Sequence, residues 1–189
     1  MATSILDFRD HQKGFRVQYN TVTAVHRATS NNTQGGELGN ALQAASEEGH
    51  DQVVRMLLAK GPDVDAQGGK YDNALQSASE EGHDQVVPML LDKGADVNPQ
   101  DGEYRNALQA ASSRGHDQVV FMLLDKGADV NAQGGELGNA LQAVSSRGHD
   151  QVVQMLLDKG ADVNAQGGVY GNALQAASEE GHGSVIKRS

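Results

Sequence analysis

The sequence has no cysteine and no tryptophan, and aromatic residues make up only 4% of its 189 positions. Without cysteine there is no disulfide scaffold, no thiolate zinc or iron–sulfur site and no cysteine nucleophile. The absence also fits a reducing compartment. Basic residues are scarce as well: 15 Lys and Arg stand against 25 Asp and Glu, for a formal charge of −10. Duplex nucleic acid needs a basic footprint, so that class of partner is set aside. No apolar run approaches the ~20 residues of a membrane span. The first 15 residues mix Asp7, Arg9, Asp10 and Lys13 and lack the apolar stretch of a secretory signal. The expected location is therefore intracellular, cytoplasmic or nuclear.

Proline is also rare, with 3 in the chain, whereas glycine is abundant at 23. That is about 12% glycine against a usual ~7%. Self-similarity explains the excess. Asn-Ala-Leu-Gln begins at Asn40, Asn73, Asn106, Asn139 and Asn172, in steps of 33. Gly-His recurs with the same step at Gly49, Gly82, Gly115, Gly148 and Gly181. The units are 35–67, 68–100, 101–133, 134–166 and a partial 167–186, followed by a tail at 187–189. Units three and four agree at 28 of 33 positions, with no insertion between any two units.

One unit, 134–166, reads as two short helices and a connector. Asn139 is placed to cap the first helix, since its side chain can accept from a free amide of the first turn. Ala140, Leu141, Ala143 and Val144 are its apolar residues, and Gly148 marks its end. His149-Asp150 opens the second helix, with the Asp carboxylate at the positive end of the helix dipole. Val152, Val153, Met155, Leu156 and Leu157 form a broad apolar stripe, and Gly160 ends it. A polar Gly-rich connector leads to the next unit. Helices of about two turns are marginal alone in water, and one pair cannot bury its apolar face. Stacked units share one continuous core. The expected fold class is an all-α solenoid.

A 33-residue helix–turn–helix unit with a hairpin-like connector resembles the ankyrin repeat. The Gly-His pair is retained, and so is the close Gly-Ala-Asp-Val-Asn at Gly94–Asn98, Gly127–Asn131 and Gly160–Asn164. The family's Thr-Pro-Leu-His start is replaced by Asn-Ala-Leu-Gln, with Ala at the proline position in all five units. This variant, followed by Gly-Gly-x-Tyr-Gly, looks like ankyrin arrays of filamentous fungi. Many of those are recognition segments of large NACHT-type signalling proteins. The resemblance covers about four-fifths of the chain. It implies a non-catalytic protein-interaction module that binds a protein through its concave face, without cofactor, metal or small-molecule substrate. Two further readings stand beside it. One is a fragment of a larger signalling protein with no independent role, and the other is an accessory or regulatory protein encoded with a fungal metabolic gene cluster.

Three residue sets invite catalytic readings and fail on geometry. His50, His83, His116, His149 and His182 recur once per unit. Packed helices stand about 8–10 Å apart, whereas zinc ligands all lie ~2 Å from the ion. Each ring is instead expected to bond backbone at the start of a second helix. Glu47-Glu48, Glu80-Glu81 and Glu179-Glu180 are sequence neighbours, which do not face each other on a helix. The Gly-Gly pairs lack the Lys and Ser/Thr of a phosphate loop.

Binding specificity is expected at positions that differ between near-identical units. In the connector these are Leu38, Leu137, Tyr71, Tyr104 and Tyr170, flanked by Lys70, Asp72 and Arg105. Tyr is a favoured interface anchor. At the first-helix ends they are Glu47, Glu48, Arg114 and Arg147, so charge along that row runs acidic, acidic, basic, basic, acidic. Such alternation would place a partner in register. Phe121 is expected on the outer side. Pro88 falls within the second helix of unit two, where Arg55, Phe121 and Gln154 occupy the matching positions, and marks the expected weak joint. Residues 1–34 read as an N-terminal arm. From about 15 they carry traces of a capping half-unit, with Asn32 and Gln34 at the phase of the Asn-x-Gln close. The C-terminal end, Ile186-Lys187-Arg188-Ser189, is either a minimal cap or the cut end of a longer array.

Overall fold

The structure is a computed structural model that describes residues 41–67, 73–99, 106–179 and 181. The arm at 1–34 and the tail at 187–189 lie outside the described residues. First helices are α1 (Ala41–Glu47), α3 (Ala74–Glu81), α5 (Ala107–Arg114), α7 (Ala140–Ser145) and α9 (Ala173–Glu179). Second helices are α2 (Asp51–Leu58), α4 (Val86–Asp92), α6 (Asp117–Asp125) and α8 (Asp150–Asp158). In units one to four the two helices pack on each other, and each helix packs on its equivalent in an adjoining unit. First helices approach one another more closely than second helices do. Their facing residues are mostly Ala and Ser, which leave little side chain between two backbones. The array is the expected all-α repeat solenoid.

One core runs through the stack. Leu75, Leu108 and Leu141 fill it from the first helices, and Val87, Leu90, Val120, Leu123, Val153 and Leu156 from the second. Burying a side chain of this size contributes about 1.5–3 kcal/mol. The core is continuous only because each unit covers the next.

Polar groups cross the same boundary. Asn106 and Asn139 cap their helices as expected, accepting from the amides of Gln109 and Gln142 at 2.9 and 2.8 Å. The glutamines reciprocate: Oε1 of Gln142 accepts from the Asn139 amide at 2.8 Å, completing a capping box. The Gln142 Nε2 then donates onward to the carbonyls of Ala165, Gly167 and Gly171 in the next connector. Gln109 does the same toward Ala132 and Gly138. One buried amide therefore starts its own helix and holds the following hairpin.

The Asp-x-Asn close works similarly. Within a unit, Asp129 Oδ1 accepts from the Asn131 amide at 2.9 Å. Between units, Asn98 bridges to Gly127 O and the Asp129 amide, and Asn131 to Gly160 O and the Asp162 amide. Unit one has Asp65 at this position, and its carboxylate accepts from the Asp96 amide at 2.9 Å. A carboxylate has no donor, so the bond to a following glycine carbonyl is not available there.

Pro88 falls within the second helix of unit two, as expected, but in its first turn rather than in its interior. The second helices of units one, three and four begin at Asp51, Asp117 and Asp150, but α4 begins two residues later, at Val86. Pro88 is thus its third residue, in the first turn, where no intrahelical donor is needed. The amides of Val86 and Val87 share the His83 carbonyl at 3.0 and 3.1 Å. The proline has displaced Asp84 and Gln85 from the helix into a turn.

Gln142→Ala strips four bonds and removes the donor to the half-buried carbonyls of Ala165 and Gly167, and should destabilise the array by about 3 kcal/mol in urea unfolding. The exposed Gln154→Ala should change it by less than about 0.5 kcal/mol. Pro88→Gln restores the donor for the Asp84 carbonyl and should stabilise by about 1 kcal/mol, with a small gain in helical circular dichroism.

Candidate functional site

Two groups of residues that vary between units lie at the first-helix ends and the connector tips. The helix ends are built on the Gly-His pair. Gly115 has φ +73°, a conformation open to Gly and strained for other residues. A methyl group there would also sit 2.6 Å from Nδ1 of His149. Gly49 and Gly82 receive His83 and His116 in the same way. Each ring thus lies over the glycine of the unit before it. Its Nε2 then reaches a backbone carbonyl, His83 to Glu47 O at 2.7 Å and His116 to Glu80 O at 3.1 Å. A carbonyl can only accept, so Nε2 carries the proton. The rings bond backbone as expected, but at the end of the preceding first helix rather than at the start of their own second helix.

This arrangement divides the two variable positions of each helix end. The first of the pair is turned into the boundary: Glu80, Ser113 and Ser146 are buried, and Glu47 is half-buried. Ser113 and Ser146 hydroxyls donate to Ala110 O and Ala143 O within their own helices. The second of the pair is exposed: Glu48, Glu81, Arg114 and Arg147. Arg114 is not a free cation, since its guanidinium contacts the Glu80 carboxylate at 2.8 Å across the boundary. Glu80 is only 5% exposed, and this contact supplies the partner a buried carboxylate requires. At the next boundary Ser113 stands at the position of Glu80, opposite Arg147. The two arginines, alike in sequence, therefore differ in their surroundings.

Among the connectors, units four and five are described. Each is a tight hairpin closed by a glycine pair, Gly134 N to Gly138 O and Gly167 N to Gly171 O, both at 2.8 Å. The tips are joined through backbone, Val169 N to Glu136 O at 2.8 Å. Leu137 and Tyr170 occupy equivalent tip positions and are half-buried. Val169, beside Tyr170, is 69% exposed. Leu38, Lys70, Tyr71, Asp72, Tyr104 and Arg105 lie outside the described residues. Phe121 is 57% exposed, on the outer side as expected.

The model for ankyrin repeats in three copies matches residues 11–101, 42–134 and 108–188. The chain belongs to the ankyrin repeat family. Ankyrin repeats generally mediate protein–protein contacts and are typically non-catalytic. One curated relative is azaphilone pigments biosynthesis cluster protein L of Monascus ruber, 73% identical over 33 residues. That stretch is 18% of this chain and 7% of the relative, the length of a single ankyrin unit. Among the described residues of this ankyrin array, no helix is long and apolar enough to cross a membrane.

Sequence reasoning treated Glu80 and Arg114 as separate surface charges. Their spacing of 34 residues, one unit plus one, was the available signal: it aligns the second position of one helix end with the first of the end before it. Val169, which the comparison of units did not single out, is the most exposed large apolar side chain among the described residues.

Gly115→Ala should cost more than Gly127→Ala, because both strain the backbone but nothing lies within 4 Å of the methyl at Gly127. The difference should exceed about 1 kcal/mol in chemical denaturation and shrink when His149 is also Ala. An undiminished difference in the double variant would contradict the ring-over-glycine contact.

Proposed function

We propose that the chain is a non-catalytic protein-recognition array, binding a protein partner along its concave side through the connector tips and first-helix ends. The observation that carries this reading is the sorting of its residues. Those identical between units, such as the Asn, Gln, Gly and His described above, hold the stack together. Those that differ at the helix ends sit in the exposed column Glu48, Glu81, Arg114 and Arg147. A row of helices packed more closely than its partner row bends the stack toward itself, which makes the first-helix side the inner one. Charge along it reverses between unit two and unit three, so a partner segment with the opposite reversal binds in one register. Tyr170 and Leu137 supply apolar anchorage at the tips, and Tyr71, Tyr104 and Leu38 extend the same row by sequence position. Lys70, Asp72, Arg105, Glu47 and Glu48 flank that row in the same reading. The array acts inside the cell in this account, without cofactor.

The match to the Monascus ruber protein favours a second, compatible reading, an accessory protein encoded with fungal biosynthetic genes. It rests on one unit's worth of similarity.

Affinity capture from the native host tests the surface. A bait with Arg147 and Tyr170 both Ala should recover its main partner at least about 30-fold less than wild type, two anchor residues being removed. A bait with the outer residues Phe121 and Gln154 both Ala should recover it normally. Equal recovery by both baits would remove the proposed face.

A further inference from the structure

The two arginines of the exposed column do not offer a partner the same thing. Arg114 holds Oε1 of the buried Glu80 with two nitrogens, Nε at 2.9 Å and Nη2 at 2.8 Å. Turning that guanidinium outward to a partner would leave a buried carboxylate without its cation, which is costly. Arg114 is therefore committed inward, although its side chain is 49% exposed.

One unit on, the same two positions hold Ser113 and Arg147. Ser113 is buried, and its hydroxyl donates to Ala110 O at 2.9 Å in its own helix. Arg147 is exposed, and among the described residues no carboxylate pairs with it. At the boundary before both, the two positions are Glu47 and Glu81, which are both acidic. The last residues of one first helix thus decide what the next one can offer.

We infer that Arg147 is the specificity-determining cation of the array, and that it takes the carboxylate of an Asp or Glu side chain on a protein partner. The inference rests on the reading of this side as a protein-recognition surface and names the group that surface takes. The chain itself supplies the template. At the preceding boundary the group seated on the arginine is a glutamate carboxylate, and at Arg147 a partner's carboxylate fills the place that Ser113 leaves without one. A planar guanidinium receives a carboxylate through paired N–H donors, which fixes direction as well as position. Glu48 and Glu81 favour basic partner residues toward unit one, so a single acid at Arg147 sets the register of the whole segment.

Two measurements on the full chain test this. Phenylglyoxal, which modifies free guanidinium groups, should label Arg147 as fast as the exposed outer Arg55 when sites are mapped by mass spectrometry. Arg114 should react at least about tenfold more slowly, the factor for one charge-assisted bond. Glu80→Ser should release Arg114 to the faster rate, and Ser113→Glu should slow Arg147. The second measurement selects random displayed peptides on the wild-type chain. The peptides held should share an Asp or Glu at one position. A synthetic peptide of that sequence should bind Ser113→Glu or Arg147→Gln at least about tenfold more weakly. Changing its acid to the amide should cost wild type the same factor and cost Ser113→Glu nothing further. Unchanged far-ultraviolet circular dichroism of both variants shows that the stack is intact. Arg147 as slow as Arg114, or bound peptides indifferent to both variants, would overturn the inference and leave protein recognition standing. A chain that holds no peptide would overturn both.

Discussion

A pair of two-turn helices leaves apolar side chains and backbone carbonyls uncovered on one side, and neither can stay uncovered in a folded chain. The 33-residue copy answers both needs at once. Leucine and valine rows bury against the next unit, and side-chain amides and imidazoles carry hydrogen bonds to its backbone. Gln142 is the clearest case, since one side chain completes its own capping box and holds three carbonyls of the following connector. His83 and His116 run the opposite way, each reaching back to the preceding helix end. Asn98 and Asn131 form a third line of contacts along the second-helix ends. The units are thus tied in both directions, and the identical residues of the repeat are mostly the ones doing the tying.

That division leaves other positions open to change. The column Glu48, Glu81, Arg114 and Arg147 lies just outside the boundary and varies from unit to unit. Glu80 shows where the two roles meet: buried against the next unit, it draws Arg114 into an ion pair and changes what a partner would encounter there. An ankyrin array can alter such positions one unit at a time, because each belongs to a different unit.

Most of the fold was legible in the sequence because its signals are local. The Asn caps, the helix-ending glycines and the apolar stripes act within a few residues, and the 33-residue period showed that they recur. What was not legible depends on contacts between units. The partners of Gln142 lie 23 to 29 residues away, and that of His83 lies 36 away. No local rule names them. The burial of Glu80 but not Glu81 likewise follows from how α3 meets α5. Pro88 is the instructive case. The local rule rightly said that an interior proline is costly, but the chain met it by starting α4 two residues later. Of the candidate site, the choice of variable positions came from comparing units, whereas their exposure and pairing came from the stack.

Native-state hydrogen exchange on the full chain carrying Gln109→Ala tests the coupling most directly. The amides of Val120 and Val153 bond to His116 and His149 in units three and four. If side-chain bonds across boundaries hold the array together, protection of both amides should fall together, by a similar free energy. A loss confined to unit three, with Val153 unchanged, would contradict the account.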